Sequence, residues 1–437
     1  MRILHTSDWH LGQHFYNKSR AREHAEFFAW LLAQVDTHKI DAVIVAGDVF
    51  DTGTPPSYAR ALLNSLVVSF QKLGCQLVVL AGNHDSVSTL NESRQLMEYL
   101  NTTVIAGGDE GEQLLELTNA QGELQALLCA VPYLRPRDLL RSQAGESAAD
   151  KRQSLQQAIA DHYRALYERA AILRAERELN IPIIATGHLT TLGATTSESV
   201  RDLYVGTLDA FPSDHFPPAE YIALGHIHRP QRVGGQEHIR YCGSPIPLSF
   251  DELGSDKSVL MVEFDGQLLT SITALPVPRF QPMAMIKGNL SEIEQQLKGF
   301  ADASAERPVW LDIEVESEEY LNDLQQRIEA LAEALPVEVL LLRRARKLRA
   351  QALEQQQNET LAELSVQEVF ARRLQEEVFE GEQGTERQSR LQGMFDLVLA
   401  QLEDPEQDQE EAPRTETQPD HPADEVELPN QPEEAQS

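Results

Sequence analysis

The chain has 437 residues, 41% of them hydrophobic, and 37 basic against 69 acidic residues give a net charge of −32. That length allows two or three folded cores, and the acidic balance argues against nucleic-acid binding through bulk charge. Residues 401–437 alone hold thirteen acidic residues, one arginine and six prolines, a composition that reads as a disordered acidic tail.

Along the chain, a strand is expected at residues 3–4, a helix over 21–38, a strand at 42–46, a helix over 57–73, a strand at 77–81 and a helix over 89–100. Residues 124–131 are strand-like. Residues 150–179 are helix-rich, with Leu155, Ile159, Tyr163, Leu166 and Ala170 at spacings of three and four. Further strands are expected at 183–186 and 221–224. Residues 237–242, 258–264 and 268–275 read as closing antiparallel strands, and Pro276 and Pro278 mark a linker. A strand-helix pattern then occupies 283–286, 290–300, 309–315, 321–335 and 337–342. It ends in a basic group of Arg343, Arg344, Arg346, Lys347 and Arg349, read either as a solvated element end or as a phosphate contact. Two amphipathic stretches follow, one with Leu361, Leu364, Val369, Phe370 and Leu374, the other with Leu391, Met394, Phe395, Val398 and Leu402. They can pair as a hairpin or lay an apolar face on a partner's helices.

The expected fold is layered α/β: a β-sandwich flanked by helices in a catalytic domain of residues 1–275, then a small α/β capping domain over 281–350. Partner-binding helices over 355–402 and a disordered acidic tail over 403–437 complete the organisation. Cys75, Cys129 and Cys242 form no C-x-x-C pair and are expected as buried, reduced thiols. The chain opens into an apolar strand with no basic segment before a long apolar one, so no signal peptide is expected. No apolar run approaches the roughly 20 residues of a membrane span. A soluble, cytoplasmic protein without a membrane partner follows.

Five polar clusters end apolar runs: Asp8-Trp9-His10, Gly47-Asp48, Gly82-Asn83-His84-Asp85, Gly187-His188 and Gly225-His226-Ile227-His228. Aliphatic runs of four or five residues alternating with helices read as strands buried on both faces, and such sheets present ligands beyond their strand carboxyl ends. The clusters supply the carboxylate, imidazole and amide groups that two adjacent divalent ions need to clamp the attacking and leaving oxygens of a phosphoester. Asp8 and His10, two apart, are expected to point the same way from extended backbone, as are His226 and His228. Asp48 is a natural bridging carboxylate, Asn83 offers a carbonyl oxygen, and His188 an imidazole nitrogen. Glycines before Asp48, Asn83, His188 and His226 leave room for close backbone approach. His84 is suited to donate a proton to the departing oxygen, with Asp85 holding its tautomer and orientation; the alternative is a further ligand or a structural residue. Mixed N/O ligands without thiolate favour Mn, Fe or Zn.

These clusters resemble those of the calcineurin-like metallophosphoesterases, through His5-Thr6-Ser7-Asp8-Trp9-His10-Leu11-Gly12, Gly47-Asp48-Val49-Phe50-Asp51, Gly82-Asn83-His84-Asp85, Gly187-His188-Leu189-Thr190, and Gly225-His226-Ile227-His228-Arg229-Pro230 through Tyr241-Cys242-Gly243-Ser244-Pro245. More narrowly, they are similar to bacterial nuclease subunits of that family. The resemblance covers roughly residues 1–270. It implies an ATP-dependent double-strand DNA exonuclease and single-strand endonuclease acting with manganese at DNA ends and hairpins. It implies one metal held by Asp8, His10, Asp48 and His228, and the other by Asp48, Asn83, His188 and His226. It further implies a homodimer assembled with an ABC/SMC-type ATPase. No G-x-x-x-x-G-K-[ST] pattern occurs in the chain, so ATP dependence falls to that partner. Where relatives commonly carry a His after the Phe of the second motif, this chain has Asp51. A phosphatase or phosphodiesterase for small molecules or phosphoproteins uses the same metal set and is the alternative. A non-enzymatic scaffold would predict lost ligands, and none of the seven is missing.

Overall fold

The computed structural model describes residues 1–107, 110–139, 148–200, 210–316, 324–344, 390–391 and 394–395. The chain divides into two units, Met1–Arg349 and Ala350–Ser437. Of the second, only residues 390–391 and 394–395 are described, and they are helical. The remainder of both amphipathic stretches, and the acidic tail, lie outside the described residues.

Two six-stranded sheets face each other in the first unit. The first runs in the order Leu268–Pro276, Ser258–Asp265, Arg2–Thr6, Ala42–Val45, Gln76–Leu80 and Thr102–Ile105. Its last four strands are parallel, and Ser258–Asp265 pairs antiparallel with Arg2–Thr6. The second sheet is ordered Gln231–Val233, Gln236–Tyr241, Tyr221–Gly225, Ile183–His188, Leu124–Cys129 and Leu114–Thr118. Its four inner strands are parallel and its two edges antiparallel.

The inner strands of both sheets are buried on both faces because each sheet has two apolar neighbours. Ile3, Ile44, Val78 and Leu80 meet Leu128, Ile184, Tyr221 and Ala223 in the interior between the sheets. Leu4, Val43 and Val79 point outward onto Phe27, Leu31, Leu66 and Phe70 of the helices Ala21–His38 and Ser57–Leu73. On the far side, Leu155, Ile159, Tyr163 and Leu166 of the helix Ala148–Glu176 cover the second sheet. The result is the expected α/β sandwich in four layers, and a fully buried side chain of this size contributes about 1.5–3 kcal/mol. A polar link also crosses the interior: His5 Nε2 lies 3.1 Å from the Leu224 carbonyl oxygen and His5 Nδ1 2.9 Å from the Tyr221 hydroxyl. Burial pushes this imidazole down to about 3, so it stays neutral, donating through one nitrogen and accepting through the other.

Residues 283–344 form a separate three-stranded parallel sheet, Met283–Gly288, Val309–Val315 and Val337–Arg344, with helices Leu290–Lys298 and Leu324–Ala332 as crossovers. It meets the sandwich through Met283 and Trp310 packed on Phe15 and Phe250, with Phe15 stacked on Trp310 at 5.6 Å. Ion pairs Lys18–Glu338 (2.8 Å) and Arg307–Glu26 (2.5 Å) flank that contact. In the basic group, Arg343 forks onto the buried Asp312 carboxylate.

Two local expectations are corrected. The helix over 89–100 is two short helices, Val87–Asn91 and Arg94–Glu98, because Ser93 takes non-helical dihedrals between them. Residues 237–242 do not join 258–264. Gln236–Tyr241 lies in the other sheet, parallel to Tyr221–Gly225 and antiparallel only to Gln231–Val233. Strands Thr102–Ile105 and Leu114–Thr118, short and mixed in polarity, carry too weak a period to be read in advance. The three cysteines are free and buried, as expected. Among the described residues, no helix is long and apolar enough to cross a membrane.

Candidate metal centre

All five polar clusters lie at carboxyl ends of parallel strands, and the two facing sheets bring them to one crevice. In the first turn, Trp9 is driven into the core against Phe27 and Phe28. Its indole N–H donates to Thr6 Oγ1 at 2.9 Å, and its carbonyl oxygen lies 2.9 Å from His24 Nε2. Asp8 and His10 on either side are thereby turned toward the crevice. They do not do so from extended backbone: φ is +54° at Asp8 and +46° at His10. Left-handed conformations fit here because the turn lies along the Asp48 loop, with Asp8, His10 and Leu11 N–H groups donating to Gly47, Asp48 and Val49. Asp48 (φ +50°) and His226 (φ +93°) are also left-handed. Strained backbone of this kind persists where its surroundings over-determine it.

Asp48 Oδ2 lies 3.6 Å from His10 Nε2 and 3.3 Å from His188 Nε2, while its Oδ1 accepts the His84 backbone N–H at 2.9 Å. Two groups of candidate ligands flank it. Asp8, His10 and His228 offer atoms within 4.8 Å of one another, and so do Asp48, His188 and His226; His10, Asp48 and His84 form a third, overlapping group. Asn83 Oδ1 sits 2.9 Å from His188 Nε2. All seven expected metal-site residues therefore converge. His226 and His228 are not on one face: the left-handed turn at His226 sends them to different groups of candidate ligands. The four glycines act as expected: a Cβ would collide with Asp48 Oδ1 at Gly82, with the His188 ring at Gly47, with the Tyr163 hydroxyl at Gly187 and with the Ala46 carbonyl oxygen at Gly225.

The role expected for Asp85 is corrected. Its carboxylate accepts from the backbone N–H groups of Val49, Phe50 and Gly82 at 3.1, 2.9 and 2.8 Å. It thus ties the Asp48 loop to the Asn83 loop, while His84 Nδ1 is held by the Asp51 carbonyl oxygen at 2.7 Å. Adjacent residues on a turn point apart, so Asp85 faces inward while His84 faces the crevice. Burial and the neighbouring Asp48 charge raise the Asp85 carboxyl to about 6. Sequence reasoning missed the groups behind the imidazoles. Asp51 Oδ1 lies 3.1 Å from His10 Nδ1, the Ala46 carbonyl oxygen 2.9 Å from His188 Nδ1, and Ser199 Oγ 2.6 Å from His228 Nδ1. Only Asp51 left a trace, as a departure from the family's second motif.

The donor set suits divalent cations. Among the described residues, Nε2 of His10 and of His226 are buried atoms with no hydrogen-bond partner, which is costly unless something else binds them. Burial lowers the His188 imidazole, but the Asp48 and Asp8 carboxylates outweigh it and raise it to about 9. Burial and the adjacent His188 hold His226 well below its usual value. Burial raises the Asp48 carboxyl, yet His188 and His10 hold it well below the usual carboxylate range.

Fold and site define a phosphoesterase that uses divalent metal. The sequence profile described as calcineurin-like phosphoesterase matches residues 1–230, and that described as type 5 capsule protein repressor C-terminal domain matches residues 279–378. The chain belongs to the calcineurin-like phosphoesterase family. It is 58% identical over 402 residues to the SbcD subunit of the nuclease SbcCD from Escherichia coli strain K12, spanning 92% of this chain and 98% of that one. The corresponding subunits of Rhodobacter capsulatus and Bacillus subtilis are 32% and 30% identical, over 77% and 74% of this chain and 85% and 81% of theirs.

Ligation through His188 requires its neutral ring, so below a pKa of about 9 an ion taken up there displaces a proton. Apparent affinity for a divalent ion should therefore rise by up to about tenfold per pH unit from 7 toward 9 and level off above. Calorimetric titration of the metal-free protein across that range, in buffers of different ionisation enthalpy, reads both affinity and proton release. A flat profile would count against His188 as a ligand.

Proposed function

We propose that the chain is the nuclease subunit of a DNA-processing complex, a two-metal exonuclease on duplex ends and endonuclease on single strands and hairpins. The observation that carries the site reading is Asp48, whose single Oδ2 faces an imidazole from each group of candidate ligands. In this reading Asp8, His10, Asp48 and His228 hold one ion, and Asp48, Asn83, His188 and His226 the other, with Mn²⁺ as the metal. Bound together, the two ions supply Lewis-acid stabilisation of the attacking and leaving oxygens. The likeness to the SbcD nuclease subunits supports DNA as substrate and an SbcC-type ABC/SMC ATPase as partner. A cytoplasmic homodimer without membrane attachment belongs to the same reading.

The chain's own groups divide the remaining work. Seven of the nine singled-out side chains are buried, whereas Asn83 and His84 are partly exposed, as a group that meets substrate must be. With Nδ1–H donating to the Asp51 carbonyl oxygen, the His84 ring is oriented so that Nε2 is the nitrogen to carry a proton toward a departing oxygen. Asp85 keeps the two loops in register.

Asp48→Asn should retain the fold but lose normal two-metal binding and nuclease activity. Metal analysis showing two bound Mn²⁺ ions, together with unaltered cleavage of end-labelled duplex, would sink the assignment. His84→Gln should lower turnover by about 10²–10⁴-fold with metal content and DNA affinity kept. Loss of an ion in that variant would make His84 a ligand instead of an acid.

Truncation after residue 350 tests the partner. The protein should still cleave a small phosphodiester with Mn²⁺ but fail to co-purify with the ATPase or degrade duplex DNA with ATP. Deleting only 403–437 should spare all three properties. Undiminished complex formation by the longer truncation would place the interface elsewhere.

A further inference from the structure

Behind His228 lies a buried polar cluster that phosphoester chemistry does not itself require. His228 Nδ1 lies 2.6 Å from Ser199 Oγ and 3.2 Å from Glu252 Oε1, and Ser199 Oγ lies 2.5 Å from the same Oε1. The other carboxylate oxygen accepts from the Lys257 ammonium at 2.6 Å and from the Leu248 N–H at 2.9 Å. Lys257 also donates to the His228 carbonyl oxygen at 2.9 Å, so the pair grips this residue by its ring and by its backbone. Glu252 is 0% and Lys257 6% exposed.

The contacts allow one order of protons. An ionised carboxylate only accepts, so the short Ser199–Glu252 contact takes the serine proton. Nδ1 of His228 must then be the donor, to Ser199 or to Glu252. A neutral imidazole with its proton on Nδ1 carries its lone pair on Nε2, the nitrogen left for Asp8 and His10. Glu252 also accepts from Ser197 Oγ at 2.8 Å, so it helps hold its own turn; the ion pair with Lys257 by itself adds little stability, since replacing such a pair by apolar residues is often neutral or stabilising. Positioning gives the pair a further reason to be here.

We propose that Glu252 is the positioning carboxylate of His228, with Ser199 as hydrogen-bond bridge and Lys257 as counter-ion. This rests on the reading of His228 as a metal ligand. Glu252 sets the ring's orientation and fixes its tautomer, as carboxylates behind ligating histidines do. It stands on the turn Phe250–Gly254, whose Phe250 packs with Phe15, Met283 and Trp310. The position of His228 is thereby linked to the small sheet of residues 283–344.

The test uses full-length, metal-free protein titrated with Mn²⁺ in a calorimeter, with nitrogen NMR of ¹⁵N-labelled histidine as a second readout. Wild type should show two binding events and an Nδ1–H tautomer at His228, and His228→Ala should lose one event. The double variant Glu252→Met with Lys257→Met also takes an acceptor from the Leu248 N–H and the Ser197 hydroxyl, so it should melt below the wild type; folded, it should weaken that same event by about 10–100-fold. Its His228 should become a mixture of tautomers. Ser199→Val, which sets a methyl group against Nδ1, should weaken the same event by about tenfold, and it decides the matter if the double variant does not fold. Wild-type affinity and an intact Nδ1–H tautomer in these variants, with one event lost in His228→Ala, would overturn the role of Glu252. Two intact events in His228→Ala would instead overturn the reading of His228 as a ligand.

Discussion

A carboxylate removed from water must be paired, and the Asp48 charge is where the two sheets answer that demand together. One sheet contributes Asp48 and, through the Asp8–His10 turn, the His10 imidazole. The other contributes His188, whose Nδ1 reaches back to the Ala46 carbonyl oxygen of the Asp48 strand end. The loops cannot separate without leaving that charge, or the imidazoles beside it, unpaired in a buried place. Gly47 and Gly82 follow from this crowding, since any larger residue would displace an imidazole or the carboxylate itself.

Holding these groups close requires backbone that L-residues adopt reluctantly. Asp8, His10, Asp48 and His226 all have φ between +46° and +93°, and such positions cost on the order of 1–3 kcal/mol each. The surroundings that offset the strain are visible. Trp9 is buried beneath the first turn, Asp85 binds three N–H groups of two loops, and Asp8 Oδ1 accepts the His226 N–H at 2.9 Å. Asp85 is therefore structural in its contacts, and a raised carboxyl pKa beside a site does not by itself mark a proton donor. The feature that distinguishes His84 is its partial exposure at the crevice.

The acidic composition is reconciled with a phosphate-handling site by location. The net charge of −32 counts a C-terminal segment and the site's own carboxylates alike. The site's carboxylates lie among imidazoles, with His188 and His10 both within 3.6 Å of Asp48 Oδ2. Charge summed over a chain speaks to solubility and encounter, while chemistry depends on the few ångströms around Asp48.

The sequence by itself determined the strands that carry the site, the polar clusters at their ends and the identity of the seven converging residues. Each rests on local signals: aliphatic runs of strand length, glycine before a polar residue, and helices whose apolar spacing held to the boundary at Ala21–His38 and Ser57–Leu73. Tertiary structure alone decided how those residues are aimed. Asp8 and His10 converge through left-handed turns, and His226 and His228 part company. Asp85 turns inward, and Gln236–Tyr241 joins the sheet opposite Ser258–Asp265. It alone also placed Glu252 and Ser199 behind His228, 24 and 29 residues away in the chain. A short-range pattern records which face of an element is apolar. It does not record which partner a polar side chain meets, because that partner arrives from a distant strand end only when the two sheets pack.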